Sequence, residues 1–374
     1  MRRSMFLATA AVMASGLVLA GCASGSDEPA ASASASASSD KAATPKVGVI
    51  LPDTKSSARW ETADAKYLKE AFDAAGVDAD IQNAQNDKAQ FQTIADQMLT
   101  SGVNVLMIVN LDSGSGAAVL KKAKDRGVPT IDYDRLTLGG GANFYVSFDN
   151  TDVGRLQGEG LQKCLDDAGK TKANIAMLNG SPTDNNATLF KAGAVAALQQ
   201  KTTSGDYKVV ADQPVPDWDG KQGQTIFEQM WTDNGGKIDG VLAANDTLGN
   251  AVINVLKKNG VNGTIPVTGQ DATDGGLQNI LAGDQCMTVY KAVKKEADAA
   301  SALAIALAKG DDTASLATDT VDDTQTGAKV SAVLLKPQAI YFDNVKDVIA
   351  DGYTTKEKVC TEALADKCAE AGIS

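Results

Sequence analysis

Histidine is missing altogether from the 374 residues. Without an imidazole, no Ser-His-Asp or Cys-His nucleophile can be assembled, and no zinc can be held through histidine. General acid-base work would fall to carboxylates or lysines. Basic charge is also short: 35 Lys and Arg stand against 47 Asp and Glu, a net charge of −12. That excludes the basic face with which a nucleic-acid binder displaces counterions from phosphates. No CxxC spacing occurs among the five cysteines, so a cysteine-held metal is a weak reading beside disulfides. What remains is 43% hydrophobic and 22% charged, the composition of a globular protein, and long enough for two lobes of ordinary size. These absences remove most hydrolytic chemistry and lean toward binding.

The first residues have the pattern of an export signal. Arg2 and Arg3 precede an apolar run from Met5 to Ala20, which is short for a membrane span. It ends in Leu19-Ala20-Gly21-Cys22, which resembles the lipobox of bacterial lipoproteins. That resemblance implies removal of residues 1–21 and lipidation of Cys22 on the extracytoplasmic face of the cell membrane. Residues 22–45 then form the anchor and an Ala/Ser-rich tether with too little apolar content to fold. As a flexible chain the tether reaches roughly 25–30 Å. Four cysteines follow Cys22: Cys164, Cys286, Cys360 and Cys368. An even number in an exported chain points to disulfides, and three pairings are open. Cys360 with Cys368 is the local pair, which leaves Cys164 with Cys286.

From Lys46 onward, short β-branched runs alternate with amphipathic helical stretches. Strands are predicted at 47–51, 79–82, 105–109, 129–133 and 144–148, with helices at 58–75, 88–100 and 115–126 between them. The strands are too apolar to be half exposed, so a parallel sheet covered on both faces is expected. The rhythm repeats through strands at 174–178, 207–213, 238–243, 265–268 and 286–290, with helices between them. Residues 294–309 read as a further helix, 311–328 as an exposed loop, and 331–342 as two strand pieces split by Pro337.

In open α/β sheets, ligands sit at the carboxyl ends of strands. The polar residues there include Asp53, Asp134, Arg135, Asn150, Asn179, Trp218, Asn245, Gln270, Asp271 and Lys291. Carboxylates and amides accept hydroxyl protons, Arg and Lys donate, and an indole covers the apolar face of a ring. The set suits a neutral polyol. Trp231 lies in an amphipathic helix and reads as core.

At these residues the chain resembles the bacterial periplasmic sugar-binding proteins of ABC importers, in particular their D-xylose-binding and multiple-sugar-binding branch. The resembling segments include Val47–Asp53, Arg59-Trp60, Tyr133-Asp134-Arg135, Val146–Asn150, Gly180–Ala187, Ala244-Asn245-Asp246, Gly269–Ala272 and Met287–Lys291. The resemblance implies an α/β type I periplasmic binding protein fold, two Rossmann-like parallel-sheet lobes joined by a three-segment hinge. The N-terminal lobe would comprise 46–148 plus 293–336 and the C-terminal lobe 149–292 plus 337–374. Carried across position by position, the sugar contacts would be Arg59, Trp60, Asp134, Arg135, Asp184, Asn186, Trp218, Asn245, Asp271 and Lys291. The implied partners are a monosaccharide, D-xylose first, and the permease subunits in the membrane. No cofactor, metal or nucleic acid is implied, and a monomer is expected. The tail from Val345, with Cys360 and Cys368, and the lipobox depart from the soluble Gram-negative pattern.

Three competing functions differ in what they need. A transcriptional regulator of the same fold needs a DNA-binding helix-turn-helix before Lys46, where this chain has the lipobox and tether. A carboxylate glycosidase needs two acids about 5–10 Å apart; Asp134 and Asp271 are the candidates, but Arg135 and Lys291 beside them favour the ionised form. A receptor for another aldose (glucose, galactose or arabinose), or a sugar sensor feeding a signalling receptor, would use the same cleft.

Overall fold

The computed structural model describes residues 44–373. The signal segment, Cys22 and nearly all of the tether lie outside the described residues. The first lobe begins with β1 (Lys46–Leu51), a π-helical turn over Trp60–Asp64 and α1 (Ala65–Ala74). It continues through β2 (Asp78–Asn83), α2 (Lys88–Thr100), β3 (Val105–Ile108), α3 (Ser113–Asp125), β4 (Thr130–Tyr133) and β5 (Phe144–Phe148). Alternation along the strands explains why both faces are covered. Val47, Val49, Leu51, Val105 and Met107 pack on one side, against α1. Ile50, Leu106 and Ile108 pack on the other, against Phe91, Met98 and Leu120 of α2 and α3. Burial on both faces is the mark of a parallel sheet between helical layers.

The chain then leaves this sheet for α4 (Asn150–Asp167), β6 (Ala173–Asn179), α5 (Asn185–Ser204) and β7 (Tyr207–Pro214). Next come α6 (Gly220–Asp233), β8 (Gly240–Ala243), α7 (Asp246–Lys258), α8 (Asp274–Ala282) and β9 (Thr288–Tyr290). Helix α9 (Val293–Lys309) returns to pack on α1, burying Val293, Ala297, Ala300, Leu303 and Ala304 in the first-lobe core. Strands β10 (Asp319–Asp322) and β11 (Lys329–Leu335) extend the first sheet. After Pro337, β12 (Gln338–Ile340) pairs with β9 in the second lobe. The first sheet runs β10-β11-β5-β4-β3-β1-β2, parallel except for β10, and the second lobe holds β7-β6-β8 in parallel with β12-β9 antiparallel beside it. Three chain passages therefore join the lobes: after Phe148, between Tyr290 and Val293, and between Leu335 and Gln338. The tail adds α10 (Val345–Ala350), α11 (Lys356–Val359) and α12 (Ala365–Glu370).

Several expectations need correction. Residues 265–268 form no strand; Val267 makes a single bridge to Val241, because the segment is too short to extend the ladder. The stretch 311–328 is not all loop. Asp319–Asp322 forms an edge strand, its apolar content hidden from a hydropathy reading by three polar residues in four. The helix expected from Ala58 opens instead with the π-helical turn. Trp231 is half-buried at the edge of the core, 6.4 Å from Phe227, rather than within it. Of the three cysteine pairings, the structure forms Cys164–Cys286 and Cys360–Cys368, with Cα separations of 6.3 and 5.9 Å.

Candidate ligand-binding cleft

Loops after the strands of both lobes converge on one narrow cleft, with about 30 Å³ of free volume between its walls. All ten residues singled out in the sequence border it. Several are there because the strand ends are also helix starts. Asp184 caps α5 by accepting from Asn186 N at 2.9 Å, and Asn245 caps α7 by accepting from Leu248 N, also at 2.9 Å. Capping uses part of each side chain and aims the rest at the cleft. The backbone is strained at the same place: Asp134 (φ 61°), Trp218 (φ 56°) and Asp271 (φ 93°) occupy the left-handed region that favours glycine.

Arg59 is the centre of the first-lobe side. It donates Nε and Nη2 to Asp64 at 2.8 and 2.6 Å, Nη2 to Glu296 at 2.5 Å, and Nη1 to Asp134 at 2.8 Å. Four of its five N–H groups are thus taken by carboxylates, which fixes the fork. Burial works against the charge of Arg59, but Asp64, Glu296 and Asp134 outweigh it and hold the guanidinium ionised. Burial, reinforced by Asp134 and Asp64, pushes the Glu296 carboxyl up to about 8 in spite of Arg59. The Arg59 guanidinium lies 4.5 Å from the Trp60 ring centroid and that of Arg135 lies 5.7 Å away, while Trp60 Nε1 donates to Ser56 Oγ at 3.1 Å. The indole is locked.

Lys291, at the second passage between lobes, links the two sides. Its Nζ lies 3.2 Å from Asp271 Oδ1 and 3.8 Å from Asp134 Oδ2. Burial opposes its charge, yet Asp271 and Asp134 raise the ammonium above its ordinary value. In turn, burial alone would raise Asp134, but Lys291, Arg59 and Arg135 hold its carboxyl below the usual range. On the far wall, Trp218 Nε1 donates to Asp184 Oδ2 at 3.1 Å, and its ring packs over Gly180, where any side chain would collide with it. Burial raises the Asp184 carboxyl although Arg135 opposes this.

Direct bonds also cross between lobes. Ser57 Oγ donates to Asp271 Oδ2 at 3.0 Å, Asn245 Nδ2 to Ser56 O at 3.1 Å, and Asn186 Nδ2 to Asp134 O at 2.9 Å. Asn186 differs from its neighbours. Its amide N–H groups go to Asp134 and its oxygen accepts from Asn150 at 3.0 Å and Tyr145 at 3.4 Å, so it positions Asp134 and has little capacity left for anything else. Ser56, Ser57 and Phe190 also line the cleft and were not foreseen; small hydroxyls and a helical Phe carry no distinguishing pattern. Gln270 was visible as a strand-end residue but was not carried into the predicted set.

Among the described residues, eight buried side-chain polar atoms lack a hydrogen-bond partner, and three of them, Arg135 Nε, Gln270 Oε1 and Asp271 Oδ1, belong to residues lining this cleft. Arg135 Nε is 3.1 Å from Asp184 and Asp271 Oδ1 is 3.2 Å from Lys291, close enough for ion pairing but out of line for hydrogen bonds. A buried polar atom left in this way costs about 1–3 kcal/mol. Such atoms gathered on one cavity mark a ligand site. No group of His, Cys, Asp and Glu among the described residues is arranged to hold a metal, and no described helix is long and apolar enough to cross a membrane.

The family profile for the periplasmic binding protein domain matches residues 47–312. The D-xylose-binding periplasmic protein of Escherichia coli (strain K12) is 34% identical over 311 residues, 82% of this chain and 90% of that protein. The multiple sugar-binding periplasmic protein SbpA of Azospirillum brasilense is 36% identical over 331 residues, 83% of this chain and 90% of its own. Among solved structures, an ABC transporter solute binding protein from Clostridium phytofermentans with bound β-D-glucose superposes with a TM-score of 0.76 at 28% identity. That match covers 84% of this chain and 99% of the other.

Proposed function

The chain belongs to the periplasmic binding protein domain family, and from that premise we propose that it is the extracytoplasmic receptor of an ABC sugar importer. It takes one monosaccharide into the cleft and presents it to the permease. The observation that carries this reading is the gathering of Arg135 Nε, Gln270 Oε1 and Asp271 Oδ1, none with a hydrogen-bond partner, on the same cleft that Trp60 and Trp218 line. Donors and acceptors of both kinds with aromatic walls suit a ring bearing hydroxyls. An anionic ligand is disfavoured, because Arg59, Arg135 and Lys291 are each already paired with a carboxylate.

D-Xylose is the first candidate, since two relatives at 33–34% identity are named for binding it. D-Glucose is the second, since it occupies the sites of two structures with TM-scores of 0.76. A sugar sensor feeding a signalling receptor would use the same closed surface. A glycosidase is disfavoured: of the candidate pair Asp134 and Asp271, the Asp134 carboxyl is held below the usual range by Lys291 and Arg59, which suits an acceptor better than an acid. The three passages between lobes serve as the hinge. Cys22 carries the lipid, residues 22–45 tether the receptor to the membrane, and the protein acts as a monomer. A thermal-shift screen of the full chain against free monosaccharides tests the function, because a ligand that binds the folded state raises its stability. A rise with D-xylose or D-glucose supports the reading; no rise with any aldose overturns it.

A further inference from the structure

Nothing in the cleft explains the tail after β12. Its Val345, Val348, Val359, Cys368 and Ile373 are buried with Leu277, Ile280 and Leu281 of α8 and with Ile340 of β12. Gln278 Nε2 donates to Lys358 O at 2.8 Å, and Thr354 Oγ1 donates to Asp274 Oδ1. The Cys360–Cys368 disulfide closes the loop between α11 and α12. The tail is therefore bolted to the second lobe, on the helix that begins three residues after Asp271.

The tail reaches the other lobe at Gly352 and Tyr353. Tyr353 packs against the second-lobe cluster, its ring centroid 5.4 Å from that of Tyr290, and also against the first-lobe cluster that contains Trp60, Ala63 and Tyr67. Beside it, Tyr67 Oη donates to Gly352 O at 3.4 Å. Tyr353 also lines a groove shared with Ala58, Arg59 and Ala63 of the first lobe and Thr273 and Asp274 of the second. Arg59 is shared between this groove and the cleft.

We propose that Tyr353 is a positioning residue for ligand binding: a plug anchored on the second lobe that seats against Ala63 and Tyr67 of the first and biases the molecule toward closure. Contacts that exist in the closed arrangement and not in the open one add to the closed state alone, and an aromatic ring supplies them over a large area. The ring does this work, so phenylalanine can replace tyrosine. The disulfide matters because it holds the plug's anchor. The proposal rests on the reading of the cleft as a site closed by lobe movement.

The test begins without ligand. Small-angle scattering of the detergent-solubilised full chain, free of sugar, compares wild type with Tyr353→Ala, Tyr353→Phe and the Cys360→Ser/Cys368→Ser pair. The expected result is a larger radius of gyration for Tyr353→Ala, an intermediate one for the cysteine pair, and the wild-type value for Tyr353→Phe. With D-xylose and D-glucose as probes, Tyr353→Ala should dissociate faster and bind about fivefold or more weakly, with Tyr353→Phe restoring both. If Tyr353→Ala fails to fold, the cysteine pair, which lies away from the cleft, decides. Folded variants with wild-type scattering and dissociation rates overturn the proposal, as does a Tyr353→Phe that behaves like Tyr353→Ala. Should wild type bind neither sugar, the sugar-receptor reading falls while the ligand-free scattering still decides the plug.

Discussion

Asp134 stands where three cations meet, at a backbone angle that most residues avoid. Its carboxylate accepts from Arg59 and faces Lys291, and its carbonyl oxygen accepts from Tyr145, Ser147 and Asn186. Asp134→Ala removes a charged acceptor and leaves cations unmatched in a buried cleft. A charged hydrogen bond contributes about 1.5–3 kcal/mol, so sugar affinity should fall roughly 10- to 150-fold by calorimetry; unchanged affinity would remove Asp134 from the site. Glu296 gives a second test at this scale. Its carboxyl is raised from 4.5 to about 8 by burial and by Asp134 and Asp64. A group whose folded value is raised stabilises fully below the unfolded value, and that stability is lost as pH rises through the folded one. Urea unfolding between pH 5 and 8 should therefore show Glu296→Gln losing less stability than wild type, by the slope of up to one proton. Neither Glu296 nor Asp64 was legible in the sequence. Both sit within helical turns, where an acidic residue ordinarily reads as solvated surface, and it is burial against Arg59 that gives them a role. Of the ten expected residues, Asp134, Arg135, Trp218, Asn245, Asp271 and Lys291 follow strands, where position relative to the sheet can be counted from the chain, whereas Arg59, Trp60, Asp184 and Asn186 rested on the family resemblance.

Helices α4 and α5 decide how the far wall of the cleft is held. They cross so closely that a Cβ on Gly154 would lie 1.9 Å from Phe190 O. Phe190 lines the cleft, and Asp184 and Asn186 begin the same helix. Gly154→Ala should thus cost about 1–3 kcal/mol of stability or more and weaken sugar binding as well, because α5 must move and carries three cleft residues with it. An alanine variant with native melting temperature and affinity would contradict that packing. The Cys164–Cys286 bond ties α4 to the segment entering β9, across 122 residues. Replacing both cysteines with alanine should lower unfolding free energy by about 2–4 kcal/mol, measured in denaturant. At this scale the alternation of apolar strands and capped helices was readable, since hydrophobic period and strand-end Asp and Asn are local signals. What was not readable depended on partners far along the chain. Asp319–Asp322 is a strand because β11 offers an edge, and 265–268 meets β8 through a single bridge.

The whole molecule places a charged, fully buried cluster at the junction of two lobes and spans that junction with direct bonds from Ser57, Asn186 and Asn245. A ligand that satisfies Arg135, Gln270 and Asp271 adds free energy to the closed arrangement and not to an open one. Outside the described residues, the proposed lipid attachment at Cys22 has its own test. Cys22→Ser should release a soluble, sugar-competent protein from membranes, and continued membrane attachment after a high-salt wash would place the anchor elsewhere. Binding in the cleft itself is tested most directly by calorimetric titration of the full chain with D-xylose and D-glucose, run in parallel on wild type and Asp271→Ala. One site per chain in wild type, with affinity lost or strongly reduced in the variant, is the predicted result. Equal sugar affinity in the two proteins, or no sugar binding in wild type, would contradict a monosaccharide held between the lobes.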